Sequence, residues 1–397
     1  MYNLDSSKFL HSPRALRFWE CCIATFFENL SNFEAEDLKR EKSNQFTIDK
    51  IVDTSNYLTK SFRYYFDANK NHMSRFDYEN SDWNKESLFK QSTLKDNLLI
   101  QQFTIDGSLK ISKPRIAVAN TKVLEENIIK SLRKTPNLNG ARFDALSNIF
   151  KRSTEENVNI LLFPECFIPI DLLSAIVKFS VNEQILVVTG VEHITIDGVS
   201  FNFIITILPF EKNGVKDAVV VYRLKNHYSH AEKLMIETNH FKSAKAGVST
   251  YDLYIWRGIY FSSYYCFELA DVFHRGIFKS QIDLLIACEC NSDTNYFSNI
   301  VESISRDLHV YVAQVNTSQF GDTRITQPTK TETKDILKLK GGENDTILVG
   351  DIDIDALREF QRELYISTKE NKRGFKPLPP DFSLEEVMKR ISYKSII

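Results

Sequence analysis

Residues 160–165 read Ile160-Leu-Leu-Phe-Pro-Glu165, an apolar run that stops at a proline and then presents a carboxylate. Asn159–Phe163 is a strand candidate, and Pro164 ends it because proline cannot continue a ladder. α/β enzymes place reactive groups where a hydrophobic strand ends on a charged side chain, since the strand is rigid and its end is open. Two further stretches have the same form. In Val221-Tyr-Arg-Leu-Lys-Asn-His-Tyr228 a strand-like run leads to Lys225, with His227 and Glu232 close behind. In Ile259–Tyr265 a strand-like run leads into Cys266-Phe-Glu268.

Outward from these runs the same texture continues. Strand candidates are Arg115–Asn120, Ile185–Gly190, Ser200–Pro209, Ala218–Leu224, Asp283–Ala287, Val310–Asn316 and Thr346–Ile352. Segments of helical period, such as Ala141–Thr154 and Tyr296–Leu308, lie between several of them. Strands alternating with helices indicate an α/β (α+β) layered architecture. The first part of the chain differs: residues 1–106 hold no glycine and a single proline, Pro13, and Ala15–Leu30 and Ile48–Tyr65 carry apolar residues at helical spacing. This gives a mainly helical N-terminal extension over residues 1–112, a main domain over 113–360 and a tail over 361–397. A hairpin is expected at Phe103–Leu109, turning at Asp106-Gly107. Ser383-Leu-Glu-Glu386 reads as a capping box that opens a last short helix.

Composition narrows the function classes. The 397 residues carry 50 Lys plus Arg against 52 Asp plus Glu, a formal net charge of −2, which argues against a broad electrostatic grip on nucleic acid. No apolar run approaches the roughly 18 residues that span a bilayer. The N-terminus lacks the charged-then-apolar profile of a signal peptide. The six cysteines do not form a secreted disulfide framework, and no paired CxxC motif marks a zinc site. The expectation is a cytoplasmic protein without membrane or direct nucleic-acid contact, its thiols free. His227 and His230 have no third ligand beside them, and Gly321-Asp322 and Gly341-Gly342 carry no P-loop or dinucleotide fingerprint, so neither a metal nor a cofactor is expected.

Read singly, each reactive residue has a plain structural alternative: a solvated strand-end glutamate, a surface lysine, a buried cysteine. The chemistry of the three together is more specific. A thiolate is favoured at a strand-to-helix turn near an ammonium, and it forms a covalent intermediate with a carbonyl or nitrile carbon given a base and an oxyanion partner. Phe-Pro-Glu165, then Tyr-Arg-Leu-Lys225-Asn-His, then Tyr-Cys266-Phe-Glu268, in that chain order, resembles the nitrilase-like carbon–nitrogen hydrolase family over about residues 114–360. Gly190 and Asn202, and later Arg306, Asn316 and Gly321, are similar to further marks of that family.

The resemblance implies a four-layer αββα sandwich and a metal-free mechanism. It implies Glu165 as general base, Lys225 as oxyanion stabiliser, Cys266 as nucleophile and Glu232 as a second glutamate that holds the lysine and the substrate. Tyr228, Phe267, Glu268 and Asn291 are expected to face the substrate. The residues after Cys266 depart from the amidase pattern, with Ala270 where an arginine is usual, so the pocket wall is expected to be unusual. The implied activity is hydrolysis of a small amide, carbamoyl compound or nitrile, amide favoured, through a cysteine thioester. A homodimer or higher homo-oligomer is implied as well, and the N-terminal extension is a candidate contact for a protein partner. The alternative reading is a binding or regulatory module within a multi-protein assembly, bacterial defence assemblies being one example. Retention of all three reactive residues favours the enzyme.

Overall fold

Each strand expected between Arg115 and Ile352 has a counterpart in the computed structural model, which describes residues 16–37, 88–105, 108–212, 214–363 and 374–393. In chain order the first elements are α1 (Phe18–Asp37), β1 (Leu88–Lys95), β2 (Leu98–Ile105), β3 (Arg115–Asn120), α2 (Glu125–Leu132), α3 (Gly140–Glu155), β4 (Ile160–Leu162), α4 (Leu173–Glu183) and β5 (Leu186–Gly190). β6 (Ile194–Ile196), β7 (Val199–Phe201), β8 (Phe203–Lys212), β9 (Val215–Leu224), α5 (His230–Thr238), β10 (Lys242–Ser243), β11 (Ser249–Trp256), β12 (Ile259–Tyr265) and α6 (Val272–Gly276) follow. The last are β13 (Leu284–Glu289), α7 (Thr294–Asp307), β14 (Tyr311–Asn316), β15 (Thr323–Thr326), β16 (Asp335–Leu339), β17 (Thr346–Asp351), α8 (Ile354–Arg362) and α9 (Leu384–Ser392).

The strands form two large mixed sheets. One runs β17-β3-β4-β5-β8-β9 and the other β1-β2-β11-β12-β13-β14-β15-β16, with a small β10-β7-β6 sheet beside them. The centres are parallel, β3-β4-β5 in one and β12-β13-β14 in the other. Parallel strands need cover on both faces, and their runs are accordingly mostly apolar and buried. One buried apolar cluster joins Val118, Leu162, Val188 and Val221 of the first sheet to Phe103, Trp256, Phe261, Ile286 and Ala313 of the second. On the outer side of the second sheet, Phe297, Ile300, Val301 and Ile304 of α7 pack against Leu285, Ala287 and Val312. On the outer side of the first, α3 and α4 meet through Phe150 and Phe179, whose rings stack at 4.1 Å. The result is helix, sheet, sheet, helix: the αββα sandwich expected. No helix among the described residues is long and apolar enough to cross a membrane.

α1 is the helix expected near Ala15–Leu30, and it docks on the edge of the first sheet. Phe26 stacks on Tyr222 of β9 at 3.8 Å and meets Phe203 of β8 edge-on at 5.2 Å. Its first turn is fixed by Asp217, whose carboxylate accepts from Phe18 N at 2.8 Å and Trp19 N at 3.0 Å, a carboxylate placed on the positive end of the helix dipole.

The end of the supposed helical extension is corrected by the structure. β1 and β2 are strands, and β2 pairs in parallel with β11 over Leu98–Ile105, inside the main sheet. Their turn is Asp96-Asn97, both at positive φ (49° and 61°), the backbone of a tight hairpin turn. Lys90-Gln-Ser-Thr-Leu-Lys95 lacks the apolar run of the inner strands because β1 is an edge, where lysine and polar side chains are usual. The Asp106-Gly107 turn and the Ile48–Tyr65 helix lie outside the described residues.

α9 begins where expected, with Ser383 Oγ accepting from Glu386 N at 3.3 Å. Buried Arg358 of α8 and Arg390 of α9 both bond the buried carboxylate of Asp283, at the start of β13, and so fasten the end of the chain to the centre of a sheet.

Candidate active site

The end of β4 sets the position of the first reactive group. Phe163 N still bonds Val188 O of β5, at 3.0 Å, and the chain then turns through Pro164, Glu165 and Cys166. Cys166 takes φ +57°, a conformation uncommon for a side-chain-bearing residue. This turn lies directly on the end of β5: a Cβ at Gly190 would meet Glu165 Cα at 2.7 Å. Gly190 is therefore what allows the glutamate turn to seat.

On β9 the side chains alternate, so Arg223 and Lys225 share the inward side. Lys225 N bonds Asn202 O at 2.9 Å as the strand ends, and its Nζ then lies 2.6 Å from Glu165 Oε1 and 2.5 Å from Glu232 Oε2. Glu232 comes from the first turn of α5, which Ser229 caps. Asn202, between β7 and β8, donates from Nδ2 to Glu165 Oε1 at 2.8 Å and lies 3.3 Å from Glu232 Oε1. His193 Nε2 stands 3.6 Å from Glu232 Oε1.

The third strand end, β12, delivers Cys266 at the start of a short 3₁₀ turn over Cys266–Ala270. Cys266 Sγ points at Glu165 Oε2 from 3.6 Å. The carboxylate is thus divided: Oε1 is anchored by Lys225 and Asn202, and Oε2 faces the thiol.

The electrostatics follow from burial, with Glu165 3 %, Lys225 2 % and Cys266 8 % exposed. Burial opposes the Lys225 ammonium, but Glu165 and Glu232 outweigh it and hold its pKa well above the usual range. Burial also works against the Glu232 carboxylate, yet Lys225 and His193 hold it down at about 2. Glu165 is shifted the other way: burial raises it, with Lys225 opposing. The Cys266 thiol is pushed well up, by burial first and by the Glu165 carboxylate second. At neutral pH the arrangement is a neutral thiol, a cationic lysine, an ionised Glu232, and a glutamate adjusted to accept a proton. Such a thiol becomes a nucleophile only as its proton moves to the base.

Of the four residues expected to face a substrate, Tyr228 is buried with its ring 5.4 Å from Lys225 Nζ, and Phe267 stands 39 % exposed beside the nucleophile. Glu268 is a correction. It is wholly buried, and its oxygens accept from Arg223 Nη1 and Nη2 at 2.8 and 2.9 Å, from Asn226 N at 2.8 Å and from Tyr265 N at 2.9 Å. A carboxylate so filled ties the lysine strand to the nucleophile turn and leaves nothing for a substrate. Asn291 bonds the Asn316 side chain through its backbone N–H and C=O, its Oδ1 accepts from Asp293 N at 2.9 Å, and its buried Nδ2 has no partner among the described residues.

Asn316 also donates to Gly321 O at 2.8 Å, and Gly321 sits at φ +76° where a Cβ would meet Lys340 O at 2.1 Å. Arg306, grouped with them in the sequence, is exposed on α7 and takes no part. Arg223 enters the sequence reading only as part of the Tyr-Arg-Leu-Lys225 motif, and His193 and Cys166 have no role there. Arg223 had a signal, its two-residue offset from Lys225 on one strand; His193 and Cys166 had none. Among the described residues no group of three or more His, Cys, Asp or Glu side chains is placed to hold a metal.

No family model matches the sequence, and no curated protein matches it. Solved structures similar to it include XC1258 from Xanthomonas campestris, a CN-hydrolase superfamily protein with an arsenic adduct in its active site, at TM-score 0.46 and 12 % identity over 64 % of this chain and 95 % of that one. An amidase from Nesterenkonia sp. is similar at TM-score 0.44 and 15 % identity, over 65 % of this chain and 99 % of that one. The NitFhit protein of C. elegans is similar at TM-score 0.45 and 16 % identity, over 65 % and 67 %.

Proposed function

We propose that the chain is a carbon–nitrogen hydrolase that cleaves a small-molecule amide, carbamoyl compound or nitrile, amides first, through a thioester on Cys266. The observation that carries this reading is the Cys266 thiol aimed at the free oxygen of Glu165 from 3.6 Å while Lys225 spans the other oxygen and Glu232.

For an amide, Glu165 takes the thiol proton as Sγ bonds to the carbonyl carbon. The oxygen becomes an oxyanion beside the Lys225 ammonium, which is already charged and fixed, so little reorganisation accompanies the step. Glu165 returns the proton to the nitrogen, the carbon–nitrogen bond breaks, and ammonia or an amine leaves a thioester. A water then gives its proton to Glu165 and attacks the thioester carbon. Collapse releases the carboxylic acid and restores the thiol.

The test is intact-mass labelling with iodoacetamide at neutral pH, comparing wild type with Cys266→Ala and Glu165→Gln, followed by an amide panel. Saturable labelling confined to Cys266, slowed by about a hundredfold in Glu165→Gln, is the expected result. Labelling of Cys266 no faster than of the buried Cys288 would sink the reading.

We also propose that copies of the chain pair through the face of α6 and α7, where Val272, Phe273 and Tyr296 are 69, 53 and 48 % exposed. Light scattering should show a dimer or larger that Phe273→Glu reduces to a monomer. A wild-type monomer at micromolar concentration removes this part.

A further inference from the structure

Two histidines join the two sides of this site without touching its reacting groups. His227 lies two residues beyond Lys225, in the loop that leads from β9 into α5. His274 lies in α6, just past the turn that carries Cys266. Their rings stack with centroids 4.9 Å apart, and His227 Nε2 is 2.9 Å from His274 Nδ1. The Tyr251 hydroxyl reaches the same Nδ1 at 3.0 Å. His274 is also tied to its own side: its N–H donates to Asp271 Oδ1 at 2.9 Å and its C=O accepts from the Tyr264 hydroxyl at 3.2 Å.

Counting protons on this contact shows what it requires. With both rings neutral, one of the two facing nitrogens carries the hydrogen and the other accepts it, in either direction, and the Tyr251 hydroxyl can donate or accept to match. One added proton can be carried on the far nitrogen of the donating ring, and the facing bond stays as it is. Two cannot, because both facing nitrogens then bear hydrogen and both rings are positive.

We propose that His227 and His274 are positioning residues: their contact sets the lysine-bearing loop against the nucleophile-bearing segment, and it opens when both rings are protonated. This rests on the catalytic reading of Glu165, Lys225 and Cys266.

The charged and titratable groups around the pair are Arg223 from β9, Lys245 from the chain before β11, Tyr251 and Tyr264 from β11 and β12, and Glu268 and Asp271 from the nucleophile segment. Burial lowers His227, and the neighbouring His274 adds to this against Glu268 and Asp271. For a base whose folded pKa is depressed, the contact is intact above the ordinary imidazole value of about 6.5 and weakens as the pH falls through it. The neighbouring Arg223–Glu268 link does not titrate there, because Arg223 and the backbone donors hold Glu268 below its usual range in spite of burial. The histidine contact is therefore a link between these two segments that weakens in mild acid, below the ordinary imidazole value.

The experiment follows Cys266 alkylation by iodoacetamide from pH 5 to 8 on the full chain, for wild type, His274→Asn, His227→Gln and His274→Phe. Asn places an acceptor oxygen near the Nδ1 position, and Gln places an N–H near the Nε2 position, neither of which titrates. Each should label within about twofold of wild type at pH 7.5 and label faster than wild type at pH 5.5. His274→Phe removes the contacts to His227 and Tyr251 and should slow labelling about fivefold or more at pH 7.5, the loss of at least one hydrogen bond. If wild-type Cys266 labels rapidly but the ratio of His274→Asn to wild type stays constant across the pH range, the positioning role is overturned and the catalytic reading stands. If wild-type Cys266 has no rate advantage over Cys288, the catalytic reading fails, and this inference with it.

Discussion

Replacing Arg223 by methionine removes the cation from a carboxylate that has nowhere to go. Glu268 is fully buried, and in the wild type two guanidinium N–H groups and two backbone N–H groups fill its oxygens. Methionine matches much of the arginine stem but leaves the charge compensated only by Asn226 N and Tyr265 N. Breaking one partner of a buried ion pair costs about 3–5 kcal/mol. Against a total stability of about 5–15 kcal/mol this is a large fraction. At a urea slope of about 3 kcal/mol per M it corresponds to a midpoint lowered by about 1–1.7 M. Glu268→Gln should cost somewhat less, since one oxygen still accepts, while its amide N–H₂ is forced against another donor. The assay is urea unfolding followed by tryptophan fluorescence, with Cys266 alkylation measured on the folded fraction. A midpoint within about 0.3 M of wild type for both variants, accompanied by a changed preference among amides, would refute the fastening role and return Glu268 to the substrate wall.

Other outcomes follow from the same geometry. Gly190→Ala should fold but lose most of the Cys266 labelling advantage, because its Cβ would force Glu165 Cα back from 2.7 Å; labelling at the wild-type rate would show that the turn has slack. Asn202→Ala should slow labelling by about tenfold with little change in the urea midpoint, since it leaves Glu165 Oε1 to Lys225 alone; an unchanged rate counts against the division of the two oxygens. Asp283 and Glu268 both have pKa values lowered by arginines that outweigh burial, so their contributions to stability are present above the unfolded carboxylate values of about 4 and are lost as the pH falls through the lowered ones. Acid unfolding monitored by circular dichroism should therefore set in below about pH 4, and Arg358→Met should move the onset to higher pH.

The inner strands are legible because parallel strands covered on both faces are mostly apolar, and the runs Ile116–Ala119 of β3, Ile160–Leu162 of β4, Leu284–Cys288 of β13 and Tyr311–Ala313 of β14 are. Glu165, Lys225 and Cys266 are legible because each follows a largely apolar strand-like run, inner and parallel for Glu165 and Cys266 and an antiparallel edge for Lys225. β1 escaped detection because it is a polar edge, and β2 because its run was read as part of a glycine-free stretch suited to helix. Glu268 was misassigned for a related reason. Its position two residues after the nucleophile suggested substrate contact, but its role is decided by Arg223 across the sheets, a pairing that linear spacing does not contain. Asn202 is legible only as a mark of the resemblance and not by its bonds to Glu165 and Glu232, and His193 reaches Glu232 only through the packing of loops, so its place in the site becomes visible only in three dimensions.

The Asp283 anchor has a consequence for how the chain is made. Asp283 opens a central strand of the eight-stranded sheet, yet its partners Arg358 and Arg390 are synthesised at least 75 residues later. Until Arg390 has cleared the ribosome exit tunnel, that strand would have to bury a carboxylate with its counter-charges missing, at a cost of several kcal/mol. The first sheet needs nothing beyond β17 and can form while the chain is still attached. The second can close only once Arg390 has emerged, so the nucleophile turn on β12 is set after the first sheet, and a ribosome stalled before residue 390 would hold a thiol without a finished site around it.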